Sequence, residues 1–343
     1  MAKVGIIGGG AFGTAMACVL RRQRHEVALW ARESEVVDAI NRRGANAVFL
    51  PGVPLPDGIV ATQDMASAVR DAAFVLLAPP AQHMRAVTTQ LRPHLAAGLP
   101  VVSCSKGIER DSCALMSEVL AATLPQAPVA ILSGPSFAAE ISIDLPAGVT
   151  LACDDPVLGA RLEQAIGSTR FRVYLSDDVV GAQVSGVMKN VLAIACGIVT
   201  GKGLGNSMRA MLLARGLAEA VDLGLAMGAR LETFLGLSGI GDIDLSCNSP
   251  QSRNMSLGIA LGRGRTLAEV LGERITVQEG VHSASAIAAL ADRLGVEMPI
   301  ARLVDRVLNH AADPDHEIEA LMALPFGVER AVVPWLRRGT RPA

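Results

Sequence analysis

The chain has 343 residues, more than one hydrophobic core usually serves, and its length predicts two domains. Lys and Arg number 31 against 33 Asp and Glu, and the net charge of −2 provides no field for nucleic acid or an anionic membrane surface. Half the residues are apolar but only 3% are aromatic, so the interior is Ala, Val, Leu, Ile and Met, and no base-stacking platform is expected.

Along the first half, short β-rich runs alternate with helical stretches. Strand 3–7, helix 13–23, strands 26–30, 73–78 and 100–104, helix 113–124, strands 129–132 and 148–153, helix 157–167 and strand 171–175 follow in order. Parallel βαβ units are the simplest reading, which gives an α/β class with a Rossmann-like doubly wound sheet over residues 1–178. From 179 to 343 the apolar spacing turns to three and four, and an all-α domain is expected, with helices over 179–199, 208–227, 266–271, 283–294, 299–309 and 314–324 and a loose tail from 337.

The stretch 179–200 is apolar, yet Gln183, Lys189 and Asn190 inside it argue against a bilayer span. The N-terminal run 4–7 enters a glycine loop directly, unlike a secretory signal, and the six cysteines form no C-x-x-C pair. A cytoplasmic protein with free thiols is the expectation.

The segment Gly8-Gly9-Gly10-Ala11-Phe12-Gly13 fits G-x-G-x-x-G between a predicted strand and a predicted helix. Gly8 permits the tight turn, Gly10 lets the main chain approach a pyrophosphate, and Gly13 lets the helix pack against the sheet, with its first amides receiving the anion. The acidic residue that usually holds the ribose 2′-hydroxyl should close the second strand, which here ends Trp30-Ala31-Arg32. A guanidinium there pairs with a 2′-phosphate and favours NADPH, while Glu33 keeps NAD in play; otherwise Arg32 is a solvated surface charge.

Lys189 lies inside an apolar helix, where desolvation loosens its proton and makes it a candidate general acid or base; the alternative is a side chain that snorkels to the surface. Ser103-Cys104-Ser105-Lys106-Gly107 and Ser133-Gly134-Pro135-Ser136 each follow a strand at the edge where doubly wound sheets bind ligands, and each suits a phosphate or carbonyl substrate unless it is an ordinary connector. Gly239-Ile240-Gly241-Asp242 and Gln251-Ser252-Arg253-Asn254 interrupt the helical half. The second is phosphate-binding chemistry or a helix start capped by Ser252. No histidine spacing suits a metal, and the cluster at Asp313, Asp315, His316, Glu317 and Glu319 reads as a capped, solvated first turn.

These residues sit in an ordered set of motifs: GGGAFGTAMA from Gly8, NAVFLPGVPLP from Asn46, SKGIE from Ser105, LSGPSFAAE from Leu132, FRVY from Phe171, VMKNVLAIA from Val187, ARGLAE from Ala214, GIGDIDLSC from Gly239, QSRN from Gln251, VQEG from Val277 and GVEMPI from Gly295. The set resembles bacterial-type NAD(P)-dependent sn-glycerol-3-phosphate dehydrogenase along nearly the whole chain. The resemblance implies reversible reduction of dihydroxyacetone phosphate to sn-glycerol 3-phosphate for phospholipid synthesis, with NADP or NAD. It implies Lys189 as proton donor or acceptor, with Lys106 and Asp242 beside it. Glycerol phosphate contacts would come from Lys106, Gly134, Ser136, Lys189, Asp242, Ser252, Arg253 and Asn254, with Arg253 and Asn254 clamping the phosphate. Dinucleotide contacts would come from Gly8, Gly10, Ala11, Phe12, Gly13, Arg32, Lys106, Ala138, Arg253, Val277 and Glu279. Ala11 and the stretch Gly205-Asn206-Ser207-Met208 depart from the family pattern, the first removing one hydroxyl contact to the pyrophosphate. The partner expected is this small substrate, with a homodimer as the oligomer to test. The competing readings are a reductase of another small hydroxy acid and a dinucleotide-sensing regulator without turnover.

Overall fold

The computed structural model describes residues 1–273 and 278–325. In chain order the first half contains β1 (Lys3–Ile7), α1 (Ala11–Arg22), β2 (Glu26–Trp30), α2 (Ser34–Arg43), a small hairpin of β3 (Ala45–Asn46) and β4 (Leu50–Pro54), β5 (Ile59–Thr62) and α3 (Met65–Val69). It continues through β6 (Phe74–Leu77), α4 (Met84–Leu91), β7 (Val101–Ser103), α5 (Met116–Thr123), β8 (Val129–Ser133), α6 (Ala138–Ser142), β9 (Ala147–Ala152), α7 (Pro156–Ile166) and β10 (Phe171–Ser176).

Eight strands form one sheet in the order β10-β9-β8-β7-β6-β1-β2-β5. Strands β1, β6, β7 and β8 are almost wholly buried, as expected when helices cover both faces of a parallel sheet. Strand order reverses between β1 and β6, so the ligand crevice belongs at their carboxyl ends. The expected parallel run needs one correction, because β8 and β9 pair antiparallel. Their connection holds only the five-residue α6, about 7.5 Å of helix against a strand about 16 Å long, so it does not carry the chain back to the starting edge.

The second half is helical: α8 (Val179–Gly201), α9 (Gly205–Ala226), α10 (Leu231–Phe234), an irregular turn at Leu237–Gly241, then α11 (Asp242–Asn248), α12 (Arg253–Gly262), α13 (Leu267–Gly272), α14 (Glu279–Leu294), α15 (Pro299–Asn309) and α16 (Pro314–Met322). Among the described residues α8 is long and apolar enough to cross a membrane, but most of it is buried in this domain. Asp178 fixes its start: the carboxylate accepts from the Gly181 amide at 2.8 Å and, through its other oxygen, from the Arg230 amide at 2.9 Å and the Thr233 hydroxyl at 2.6 Å.

Helices α8 and α12 meet backbone to backbone. A Cβ on Gly197 would stand 2.8 Å from the Gly258 Cα, and one on Gly201 would stand 3.0 Å from the Gly262 Cα, with the converse contacts equally close. Two glycines on each helix, spaced by four, therefore let the two axes approach closely, and the start of α12 comes down beside the middle of α8.

Several helices differ from the sequence expectation at their ends. α1, α9 and α14 start earlier, at Ala11, Gly205 and Glu279, α5 starts later, at Met116, and α16 stops at Met322. Asp313 caps α16 through the Asp315 amide at 2.7 Å, in keeping with a capped first turn. The tail from 337 lies outside the described residues.

Gly258→Ala should destabilise the protein by about 1–3 kcal/mol, because the methyl group would collide with the Ile194 carbonyl. Gly272→Ala, where no atom lies within 4 Å, should be neutral. Urea unfolding of both variants checks the contrast.

Candidate active site

The glycine loop joins β1 to α1. Gly8 has φ +124°, and a Cβ there would lie 2.7 Å from the Ala78 carbonyl carbon, so the turn needs glycine. A Cβ on Gly13 would collide with the Gly8 carbonyl oxygen, whereas one on Gly10 would meet nothing within 4 Å. Close packing at Gly13 and open approach at Gly10 are what a main chain presents to a pyrophosphate. Gly10 is also the cap of α1, so no side chain covers the first-turn amides.

A residue that the sequence reading left without a role secures this loop. Asn46 is fully buried, and its Nδ2 donates to the Gly9 carbonyl and to the Thr14 hydroxyl, each at 2.8 Å. Its Oδ1 accepts from the Phe49 amide at 3.2 Å. The signal was present, since Asn46 opens the NAVFLPGVPLP motif, but a neutral amide gives no charge pattern to follow.

Sequence-predicted residues line the carboxyl edge of the sheet in strand order. Arg32 follows β2, the glycine loop follows β1, Lys106 follows β7, and Gly134 and Ser136 follow β8. The Lys106 ammonium donates to the Gly134 carbonyl at 2.7 Å and to Asp242 Oδ2 at 2.6 Å. Gly134 has φ +145°, and the Ser136 hydroxyl donates to its carbonyl at 3.1 Å. Ala138 begins α6, half-buried, after this loop.

From the helical half, the irregular turn at 237–241 delivers Asp242 to the start of α11, where it is 2% exposed. Lys189 Nζ lies 3.9 Å from Asp242 Oδ1. The carboxylate thus stands between two ammoniums, bonded closely to Lys106 and more loosely to Lys189. Burial pulls the Lys189 pKa down to about 8, with Asp242 opposing that shift and Lys106 and Arg253 adding to it. The structure therefore has Lys189 desolvated in the cleft instead of snorkelling outward.

Ser252 caps α12, accepting from the Met255 amide at 3.3 Å, and Arg253 follows it into the cleft. Burial lowers the Arg253 pKa, and the carboxylate of Glu279 offsets part of that effect. Asn254 follows Arg253 at the start of α12. Its Nδ2 donates to Asn190 Oδ1 at 2.8 Å, and its Oδ1 accepts from the Gly280 amide at 3.2 Å. Asn190 in turn donates to the Lys106 carbonyl at 2.7 Å, so two buried amides tie α14, α12 and α8 to the Lys106 loop.

Glu279 Oε1 accepts from the Ala81 amide at 2.9 Å, while Oε2 is buried with no hydrogen-bond partner, and burial raises the pKa of this carboxyl. An orphaned acceptor beside Gly107, an uncapped glycine loop and an approach left open at Gly10 all suit a dinucleotide lying along the edge. Phe12 stands half-buried at the start of α1, and Val277 lies outside the described residues.

Residues 3–158 match the family described as NAD-dependent glycerol-3-phosphate dehydrogenase N-terminus, and residues 178–319 match its C-terminal counterpart. The chain belongs to this family. A glycerol-3-phosphate dehydrogenase [NAD(P)+] of Parvibaculum lavamentivorans is 54% identical over 327 residues, covering 95% of this chain and 98% of the relative. One from Rhodospirillum rubrum is 54% identical over 326 residues, covering 95% and 93%. The crystal structure of glycerol-3-phosphate dehydrogenase from Coxiella burnetii superposes with a TM-score of 0.90 at 36% identity, covering 94% of this chain and 99% of that one. As a member of the glycerol-3-phosphate dehydrogenase family the chain is an oxidoreductase that uses NAD or NADP with a small-molecule substrate.

Asn46→Ala should leave the Gly9 carbonyl with only the long 3.4 Å bond from the Thr14 hydroxyl and the Phe49 amide without its acceptor, costing about 1–3 kcal/mol of stability. Dinucleotide affinity should fall with it, as measured by fluorescence titration with NADH.

Proposed function

We infer that the protein catalyses reversible reduction of dihydroxyacetone phosphate to sn-glycerol 3-phosphate, with Lys189 as the proton-transferring group and the cleft over the sheet's carboxyl edge as the site. The carrying observation is the pair of lysines on one buried carboxylate: Lys106 at 2.6 Å and Lys189 at 3.9 Å from Asp242. Such a constellation suits a carbonyl oxygen that gains negative charge and then a proton. Supplying glycerophospholipid synthesis, a cytoplasmic location and a homodimer belong to the same reading. Six buried, free cysteines are in keeping with a reducing compartment.

The glycine loop, Arg32 and Glu279 would hold the dinucleotide, whose nicotinamide supplies or takes up the hydride. Everything else falls to the chain. Lys189 gives its proton to the substrate oxygen in the reductive direction and removes it in the oxidative one. Lys106 lowers the cost of negative charge on that oxygen while Asp242 keeps both amines in place. Arg253, Ser252 and the first-turn amides of α12, with Ser136 opposite, present cationic and donor groups to a phosphate. Asn254, beside Arg253 in the proposed phosphate clamp, also fixes the Lys106 loop against α8 through Asn190.

The deciding assay is absorbance at the nicotinamide band with dihydroxyacetone phosphate and each cofactor, and no turnover with either would overturn this function. Lys189→Ala should lower kcat by about 10²- to 10⁴-fold, the range of general acid–base catalysis, without loss of NADH binding.

The pH dependence has a definite sign. Lys189 is an ammonium below about 8 and an amine above it. Reduction should therefore decline as pH rises through about 8, and oxidation should decline as pH falls through it. Asp242→Asn removes the charge that holds the proton on Lys189, so the break in residual activity should move to lower pH. A break that stays in place would assign the titration to another group.

A further inference from the structure

The end of β2 carries two opposite charges at the edge position where the adenosine ribose lies in sheets of this kind. Its main chain is held from both sides. The Gly8 amide donates to the Trp30 carbonyl at 3.0 Å, the Ala31 amide donates to Thr62 at 3.0 Å, and a Cβ on Gly9 would stand 2.5 Å from the Ala31 Cβ. Gln63 Nε2 donates to the Arg32 carbonyl at 2.8 Å, and Trp30 Nε1 donates to the Gln63 carbonyl at 2.9 Å. The backbone has little freedom here, which leaves adjustment to the side chains of Arg32 and Glu33.

Those side chains engage each other. Arg32, 78% exposed, donates through Nε and Nη2 to a single oxygen of Glu33, at 3.0 and 2.7 Å. Glu33 occupies the cap position of α2 yet makes no capping bond with its carboxylate, which is 26% exposed. Its only described side-chain bonds are those to Arg32.

We propose that Glu33 is a specificity-determining residue, which competes with a 2′-phosphate for the Arg32 guanidinium and accepts a hydrogen bond from an unphosphorylated ribose. The proposal rests on the reading that the glycine loop binds the dinucleotide. With NADH, the Arg32–Glu33 pair persists, and the second carboxylate oxygen is an acceptor for the 2′-hydroxyl. With NADPH, a doubly charged phosphate must draw Arg32 away from Glu33 while lying close to a like charge. Arg32 alone would favour NADPH; Glu33 reduces that preference, and the pair keeps both cofactors in use. Because the pair is exposed, the contest weakens as salt rises.

The test is direct binding of NADH and NADPH by fluorescence titration, together with steady-state KM and kcat with dihydroxyacetone phosphate, at low and high salt, for the full chain, Glu33→Gln and Arg32→Ala, the dissociation constants being expected to move as the KM values do. Glu33→Gln keeps the shape and one acceptor but removes the charge. Its KM for NADPH should fall about three- to fivefold, the scale of one exposed charge pair, and the KM for NADH should not fall with it. The gain should shrink at high salt and should appear in KM instead of kcat. An unchanged ratio of the two KM values, or a higher KM for NADPH, overturns the proposal. Arg32→Ala reports on the underlying reading separately. A raised KM for NADPH keeps the adenosine end at β2 whatever Glu33→Gln does, whereas unchanged KM values for both cofactors remove the dinucleotide from this strand end and take the proposal with it.

Discussion

The site depends on the contact between α8 and α12. Arg253 and Asn254 open α12, while Lys189 and Asn190 lie mid-way along α8, and they meet because Gly197 and Gly201 face Gly258 and Gly262 with no side chain between. Any larger residue would separate the helices by the width of a methyl group or more. The hydrogen bond from Asn254 to Asn190, at 2.8 Å, is made across that contact. The guanidinium at the start of α12 and the amine midway along α8 are thereby brought to one end of the cleft by main-chain packing, the kind of preorganisation the proposed reaction would need.

Charge balance is the second constraint. Lys106, Lys189 and Arg253 converge with Asp242 and Glu279, with Asp242 fully enclosed and Arg253 reaching the surface. The two acids keep the cations from repelling one another apart, yet they do not cancel the desolvation of Lys189, whose proton is held only to about pH 8. Lys106 is differently placed, since the Gly134 carbonyl and Asp242 both accept from its ammonium. The two lysines thus share one carboxylate in different surroundings, Lys106 tied by two short hydrogen bonds and Lys189 held more loosely and desolvated.

Much of this was legible in the residues. The glycine motif predicted a turn between a strand and a helix, and the structure has it between β1 and α1 with Gly8 and Gly13 sterically required, while a lone ammonium in an apolar run marked Lys189 as unusual. Short or half-exposed elements left weaker traces. β5 buries alternate residues over four positions at the sheet edge, and α6 spans five residues, too few for a helical period to show. α11 and α12 were read as interruptions because polar and glycine residues at 239–242 and 249–254 mask their starts. The Asn254 amide is held by Asn190 and Gly280, partners that no sequence pattern announces. Asn46 and Asn190 carry neither charge nor periodicity, and their importance comes only from which carbonyls and amides the fold brings to them.

The backbone contact between α8 and α12 also limits how the two helices can shift against each other. Ridges of side chains can slide past each other by changing rotamers, but main chain seated on main chain has no such slack. The helical half therefore presents its lysine and arginine as parts of one rigid jaw. The spacing of the two main chains that carry those groups is set by the helices themselves, so a ligand that fits both is measured by a ruler built into them.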